Sequence, residues 1–247
     1  MFPAGRSNVR TFWVVLVVLA LPGVVHAQQS LFNVPSATGT PEGGVFVQEQ
    51  LNLGKTGESN FTVDYGVLPG LEVGVNLFHL DLWGEPQGRA TRAMVMGNAV
   101  WTLEPTEWVN FQAGMQLGVG ARHQSKVEPV AFGWASTRVA ILDELLSFTV
   151  GGYAGTPSFL GEAHPFGPMV GFEIDLIPGH FHLQGDLMMG FNEAAVGVLG
   201  GVVFLPAGLQ VAFGVQVPGP LTQNAFGLVL EVTRVPDTSQ PEHRTSW

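Results

Sequence analysis

Apolar and polar residues alternate strictly along several stretches of this chain, and residues 107–121 show the pattern most clearly. Every second residue from Val109 to Ala121 is apolar, and the residues between them are asparagine, glutamine or glycine. Because successive side chains of a β-strand point to opposite faces, this period of two predicts a strand with one apolar face. The stretch is also much longer than the usual strand of about five or six residues.

The same alternation predicts twelve strands. They lie near residues 45–53, 60–67, 71–80, 91–103, 108–121, 131–141, 145–155, 166–176, 181–191, 194–205, 209–217 and 225–234. The connections alternate between tight turns, such as Leu68-Pro69-Gly70 and Pro178-Gly179, and longer polar loops, such as residues 84–89 and 123–128. Successive strands are therefore predicted to form antiparallel hairpins, with turns at one end and loops at the other.

The register across the tight turns tests whether neighbouring apolar faces coincide, since a slip of one residue flips a whole strand. Closing the turns pairs Gly66 with Glu72, Leu103 with Val109, Ile141 with Leu146, Leu176 with Phe181 and Phe204 with Leu209. All five hairpins close in phase, which predicts one continuous apolar face. Glu49 on the apolar face of the first strand predicts a bulge or a phase error there, and Pro168 interrupts the eighth strand.

The N-terminus predicts export. Residues 1–27 combine Arg6 and Arg10, an apolar stretch of about ten residues and the ending Val25-His26-Ala27, which together are typical of a cleaved secretory signal peptide. A membrane anchor is the alternative, but a spanning helix needs about twenty apolar residues. The predicted organisation is a signal peptide (1–27), an irregular periplasmic leader (28–43), a barrel domain (44–234) and a polar tail (235–247).

Composition favours a protein with an apolar exterior. Charged residues make up 12% of the chain against 46% hydrophobic residues, and the mean hydropathy is +0.27, whereas soluble domains are about a quarter charged. The formal charge of −10 argues against a nucleic-acid partner. Cysteine is absent, which excludes disulfides and thiolate metal sites.

In these features residues 44–234 resemble the bacterial outer-membrane β-barrel proteins, although no motif assigns a subfamily. The resemblance implies an all-β, single transmembrane antiparallel up-and-down barrel in the outer membrane, with short periplasmic turns and longer extracellular loops. Its outer face would contact lipid, where a sheet must close because lipid offers the backbone no hydrogen bonds. Aromatic residues near both ends predict interfacial girdles. They are Tyr65, Trp101, Trp108 and Phe204 at the turn end, and Trp83, Phe132, Trp134 and Phe191 at the loop end.

With the apolar face outward, polar residues line an enclosed, mainly acidic interior. The ionisable candidates for the lumen are Asp64, Glu72, Arg92, Arg138, Glu173, Asp175, His182, Asp186 and Glu231. Carboxylates favour cations, so a passive passage for cations or small neutral solutes is predicted. The alternatives left open are a hydrogen-bonded network that conducts nothing, and a leader whose residues 31–34 fold into the lumen as a stopper.

The predicted function is therefore a small porin-like channel without catalytic activity. The alternative is a structural barrel that anchors periplasmic or other envelope proteins in an assembly for export, polysaccharide secretion or surface motility. The candidate catalytic residues show no recognisable motif spacing. They are His79, His123, Ser125, Ser158 and His164. Around the turn at 178–179, Asp175 is expected to face His182 in a structural hydrogen bond, and no metal or other cofactor is predicted.

Overall fold

A computed structural model of the chain shows a closed antiparallel barrel of twelve strands. The structure describes residues 31–84, 91–122, 127–142, 145–219, 222 and 225–236. The predicted signal peptide, residues 28–30 of the leader and the tail beyond residue 236 lie outside the described residues, as do His123 and Ser125.

The strands follow one another around the barrel in sequence order. They are β1 (Val45–Gly54), β2 (Gly57–Leu68), β3 (Leu71–Trp83), β4 (Thr91–Thr106), β5 (Val109–Arg122), β6 (Val127–Ile141), β7 (Leu146–Gly155), β8 (Phe166–Ile177), β9 (Phe181–Met188), β10 (Val196–Leu205), β11 (Leu209–Pro218) and β12 (Gly227–Arg234). Each strand pairs with its sequence neighbours, and β1 pairs with β12 to close the barrel. The predicted all-β, up-and-down barrel of twelve strands is confirmed.

Helical structure within the described ranges is confined to two short segments. The helix α1 (Pro157–Leu160) follows β7, and a 3₁₀ turn (Pro206–Gly208) joins β10 to β11. In the described part of the chain, none of the helices has the length and apolar character needed to cross a membrane.

The predicted hairpin registers are correct at two turns and shifted at a third. Gly66 pairs with Glu72 and Ile141 pairs with Leu146, as predicted. Leu103 pairs with Phe111 rather than Val109, because the β4–β5 hairpin extends to a Thr106–Val109 pair. This shift of two residues keeps the strand in phase, so the apolar faces still coincide.

The other two registers differ for local reasons. Ile177 rather than Leu176 pairs with Phe181, because an irregularity interrupts the ladder after Asp175. Leu205 rather than Phe204 pairs with Leu209, because the turn between them has three residues. This difference of one residue turns Phe204 to the inner face of β10. The predicted phase of that strand was wrong.

The two positions that departed from the pattern have simple explanations. Glu49 lies in β1 without a bulge in either ladder of that strand, so the predicted bulge is wrong there. The register shift lies on β2, between Ser59 and Phe61 in its pairing with β3, and the Ser59 hydroxyl donates to the Glu49 carboxylate. Pro168 pairs with Gly152 of β7 and lies just beyond the first β8–β9 pair, which joins Met169 to Met188, and its carbonyl oxygen accepts from the N–H of Met189 at 2.9 Å.

The outer and inner faces differ as the alternation predicts. On β5, Met115 and Leu117 are each 52% exposed on the outer face, whereas Gln112 is 5% exposed on the inner face. Large apolar side chains on other strands continue this exposed outer band, including Val95, Val150, Leu199 and Phe213. A protein that buries its polar residues and exposes its apolar ones is suited to an apolar surrounding.

The predicted aromatic girdles are only partly present on the outside. Tyr65, Trp101 and Trp108 at the turn end, and Trp83 and Phe191 at the loop end, are exposed. The other three predicted members, Phe132, Trp134 and Phe204, belong to the inner face and line or pack within the interior. On β6, Phe132 and Trp134 share the inner face with the buried Ser136, and Ala135 between them and Ser136 lies on the outer face.

Candidate functional site

An N-terminal segment occupies part of the barrel interior. We call residues 31–41 the plug. Leu31, Phe32, Val34 and Ala37 are each at most 3% exposed. Leu31 and Val34 pack with side chains of β7 to β9 and α1, and Phe32 packs with side chains of β10 to β12. The leader therefore folds into the lumen, which is the stopper arrangement that the sequence left open.

Asp186 on β9 holds the plug through three backbone groups. The N–H groups of Phe32 and Val34 each donate to Oδ2 of Asp186 at 2.9 Å, and the N–H of Asn33 donates to the same oxygen. Two residues earlier on the strand, Nε2 of Gln184 donates to the carbonyl oxygen of Leu31 at 3.1 Å. A carboxylate that accepts several N–H groups fixes an irregular backbone and offsets its own burial.

The other end of the plug is fixed to the opposite wall. The N–H of Thr40 donates to Oε2 of Glu72 on β3 at 2.7 Å, and Nε2 of Gln112 on β5 reaches the carbonyl oxygen of Thr38 at 3.4 Å. The chain then passes Gly66 and enters β1 at the turn end of the barrel. The plug thus crosses the lumen from the β8–β12 wall to the β3–β5 wall.

Two inner-face glycines make room for the plug. A Cβ atom at Gly171 of β8 would lie 2.1 Å from Cδ1 of Leu31, and one at Gly214 of β11 would lie 3.0 Å from Cζ of Phe32. A larger residue at either position would occupy the space that these side chains fill. These two glycines therefore accommodate part of the chain itself.

The predicted lumen carboxylates are buried and engaged by protein groups. Asp64 and Glu231, like Asp186 and Glu72, are at most 6% exposed. Asp64 accepts a hydrogen bond from Nδ2 of Asn98 at 2.7 Å, and Glu231 accepts one from the Thr233 hydroxyl at 3.2 Å. These four predicted residues do lie inside the barrel, where they support the wall and the plug.

Three further predicted residues form a cluster at the turn end. Nδ1 of His182 lies 2.6 Å from Oε1 of Glu173, and its Nε2 lies 3.2 Å from Oδ1 of Asp175. The imidazole of His182 thus lies between two carboxylates and also contacts the ring of Phe204. Within the described ranges no group of three or more potential ligand side chains is arranged to hold a metal ion.

The remaining predicted residues are two arginines. Arg138 is half-buried on the inner face of β6, opposite Asn110 of β5 and Thr149 of β7. Arg92 belongs to β4, and its side chain lies outside the described residues.

Three of the candidate catalytic side chains fall in the described part of the chain. Ser158 donates to the carbonyl oxygen of Pro129 at 2.6 Å, and His164 contacts the ring of Phe191 at 5.4 Å between centroids. The backbone N–H of His79 donates to Oδ1 of Asn60 at 2.9 Å. These contacts are ones that hold loops and strand ends in place.

A cavity of about 250 Å³ remains between the plug and the β1–β5 wall. Phe32, Asn33 and Pro35 of the plug form one side of it, and Phe159 of α1 and the residues Glu193 and Ala194 lie at the loop end. Three of the strand side chains that line it are the carboxylates Glu58, Asp64 and Glu72, and the largest group is asparagine and glutamine. They include Gln48, Gln50, Asn52, Asn60, Asn76, Asn98, Gln112 and Gln116.

The apolar inner face of β10 was missed by the sequence analysis. Val198 and Val202 face inward and pack against Phe32, whereas Leu199 on the outer face is 56% exposed. In a strand that is apolar on both faces, alternation carries no information about which face is inside. The one usable signal was the length of the turn at 206–208, which sets the phase of the strand.

Comparison with known proteins adds no identification: no family model matches the chain, and no curated protein is significantly similar to it.

Proposed function

We propose that this protein is an integral β-barrel of the bacterial outer membrane and a small passive channel that the plug closes. The observation that carries the proposal is the inversion of the two faces. Side chains such as Leu117 and Leu199 are more than half exposed outside, while Gln112 and Asn76 are buried inside. Lipid is the surrounding that stabilises such an exterior, and a closed sheet leaves no edge in it.

The buried carboxylates decide which solutes we expect. Asp64 and Glu231 accept hydrogen bonds from protein side chains, and Asp186 and Glu72 hold the plug. Amides rather than free carboxylates therefore dominate the cavity wall. We infer that small neutral solutes pass more readily than the acidic composition alone would predict, and that cations are the second class.

Removal of the plug is the direct test of the channel. The refolded protein is placed in planar lipid bilayers as wild type, with residues 31–37 deleted, and as Glu42→Ala, a control at an exposed position of the same leader. We expect a small or silent current for the wild type and the control, and a several-fold larger current after the deletion. A deletion variant that still runs as a heat-modifiable barrel yet stays silent would contradict the channel.

A structural barrel is the second candidate, because the apolar contacts of the plug favour a permanently filled lumen. Leu31 and Phe32 each belong to a separate buried cluster, so withdrawal of the plug exposes both. In this case the barrel anchors periplasmic or other envelope proteins. Co-purification of the same periplasmic protein with wild type and with Glu42→Ala, together with a silent deletion variant, would favour this candidate.

A further inference from the structure

Four neutral amide side chains form a continuous patch on one wall of the cavity. This amide patch consists of Asn76, Asn98, Gln112 and Gln116. Asn98 and Gln116 are direct partners across the β4–β5 ladder, and Asn98 also pairs with Gly74, two residues before Asn76. The plug and the buried carboxylates account for only part of this patch: Gln112 reaches the carbonyl oxygen of Thr38 and Asn98 donates to Asp64, but among the described residues no such hydrogen bond joins Asn76 or Gln116.

Three atoms of the amide patch have no hydrogen-bond partner among the described residues. They are Nδ2 of Asn76, Oδ1 of Asn98 and Oε1 of Gln116. The orientation of two of these amides is fixed, because Oδ1 of Asn76 accepts from the Thr62 hydroxyl and Nδ2 of Asn98 donates to Asp64, both at 2.7 Å. All three atoms have almost no accessible area, so they lie just behind the cavity surface, and an occupant of the cavity pairs them only when these amides turn toward it. That occupant must both donate and accept.

An aromatic surface adjoins the amide patch. The indole of Trp134 lies over Gly114, where a Cβ atom would be 2.2 Å from Cζ2 of the ring. Its Nε1 donates to Oε1 of Gln112 at 3.2 Å, which fixes the ring beside the patch. Phe132 and Phe159 extend the surface, with ring centroids 4.7 Å apart. The cavity therefore offers flat apolar area next to neutral donors and acceptors.

We propose that this cavity binds a small neutral sugar, with its hydroxyls on the amide patch and its apolar C–H face on Trp134. A hydroxyl both donates and accepts, which matches the unpaired atoms. No lysine or arginine lines the cavity within the described residues, so the wall offers no cation for a phosphate or carboxylate. Its volume of about 250 Å³ limits the ligand to about one ring. The inference deepens the proposed function, on which it rests, by naming the solute class.

The test measures binding by the full-length, folded barrel in solution. The protein is refolded in lauryldimethylamine oxide, because glucoside and maltoside detergents would themselves supply sugar rings. Saturation-transfer difference NMR is recorded with glucose, galactose, sorbitol and the diamine putrescine. We expect transfer to the ring protons of a sugar, its loss in Trp134→Ala, and binding weakened by about threefold to tenfold in Gln116→Ala.

Matched variants separate the cavity from other surfaces. Trp101→Ala removes an outward-facing indole, and Asn110→Ala removes a buried inner amide away from the cavity, so both are expected to bind as the wild type does. Every variant is first shown to be a heat-modifiable barrel. If a variant does not fold, the conservative changes Trp134→Phe and Gln116→Asn replace it, with weakened binding expected in both.

Three results would overturn the inference. Folded wild type that transfers saturation to no sugar would show that water alone fills the cavity. Equal transfer in wild type and Trp134→Ala would place any sugar elsewhere, and a preference for putrescine would show a site for cations. Since no membrane current is measured, failure here leaves the channel proposal standing. A silent barrel that binds sugar would refute the channel alone.

Discussion

The two sides of the barrel interior are filled in different ways. Along β8 to β12 apolar and glycine positions of the inner face receive Leu31 and Phe32 of the plug, and Gln184 and Asp186 bind the backbone of the plug. Along β2 to β5 the wall presents amides, and a cavity remains. The strands differ too, since β4 has 16 residues and β5 has 14, whereas β9 and β12 have 8 each.

This difference shows that a closed barrel does not by itself make an open passage. Where the inner wall is small and apolar, a segment of the same chain gains stability by burying its own apolar side chains there. Where the wall consists of amides, their hydration opposes such docking and leaves space for water or a polar solute. The predictions below test each side separately, beginning with the largest expected effect.

Filling the space at Gly171 should displace the plug. In Gly171→Val the Cβ atom alone would lie 2.1 Å from Cδ1 of Leu31, so the Leu31 side chain must leave its buried position, which weakens docking of the plug. We expect a conductance in planar bilayers close to that of the variant lacking residues 31–37. The control is Gly152→Val on the outer face of β7, where the nearest atom to a Cβ is 3.5 Å away. A folded Gly171→Val barrel with wild-type conductance would show that the plug stays docked when the Leu31 side chain is displaced.

Removing the Asp186 carboxylate should loosen the N-terminal part of the plug. Asp186→Ala leaves the N–H groups of Phe32, Asn33 and Val34 without their acceptor, and we expect plug docking to weaken by about 3 kcal/mol. Hydrogen exchange of those amides should then accelerate by about a hundredfold. Asp175→Ala, which removes a carboxylate at the turn end, is the control. If the amides of residues 32–34 kept their protection from exchange in Asp186→Ala, Asp186 would not be an anchor of the plug.

The fold could be predicted because one physical rule governs nearly all of it. Alternation located all twelve strands, and the two-residue turn assumed between β6 and β7 gave their correct register. The rule failed at β10, where both faces are apolar and the phase depends on the 206–208 turn. Alternation does not give the length of that turn. In the structure its residues Ala207 and Gly208 both take positive φ angles.

The interior was less predictable than the wall. The sequence placed Asp186 and Glu72 inside, but alternation alone does not show that they bind the backbone of a segment about 150 and 32 residues away. Trp134 was predicted to lie on the outer face because it is near a strand end, but its side chain lines the interior cavity. Such contacts depend on long-range packing, whereas strand faces depend on neighbouring residues only.

The second anchor of the plug should be weaker than the first. Glu72→Gln keeps an acceptor for the N–H of Thr40 but removes its charge, so we expect a loss of about 1 kcal/mol. Exchange of the Thr40 amide should accelerate by about fivefold, while the amides of residues 32–34 keep their protection. Glu42→Gln, at an exposed position close by, is the control. Faster exchange along the whole plug would show that the two anchors act as one unit.

The smallest effect is expected on the outer face, at Glu49. This carboxylate shares the outer face of β1 with apolar residues and accepts a hydrogen bond from the Ser59 hydroxyl, and contact with lipid is unfavourable for it. Glu49→Leu should therefore stabilise the barrel in lipid vesicles by up to about 1 kcal/mol, measured by urea unfolding. Gln48→Leu, one residue earlier and facing the cavity, should destabilise it instead, because a polar interior gains nothing from leucine. Opposite signs at adjacent positions distinguish a lipid-facing exterior from a buried one, and a destabilising Glu49→Leu would contradict the orientation on which the channel depends.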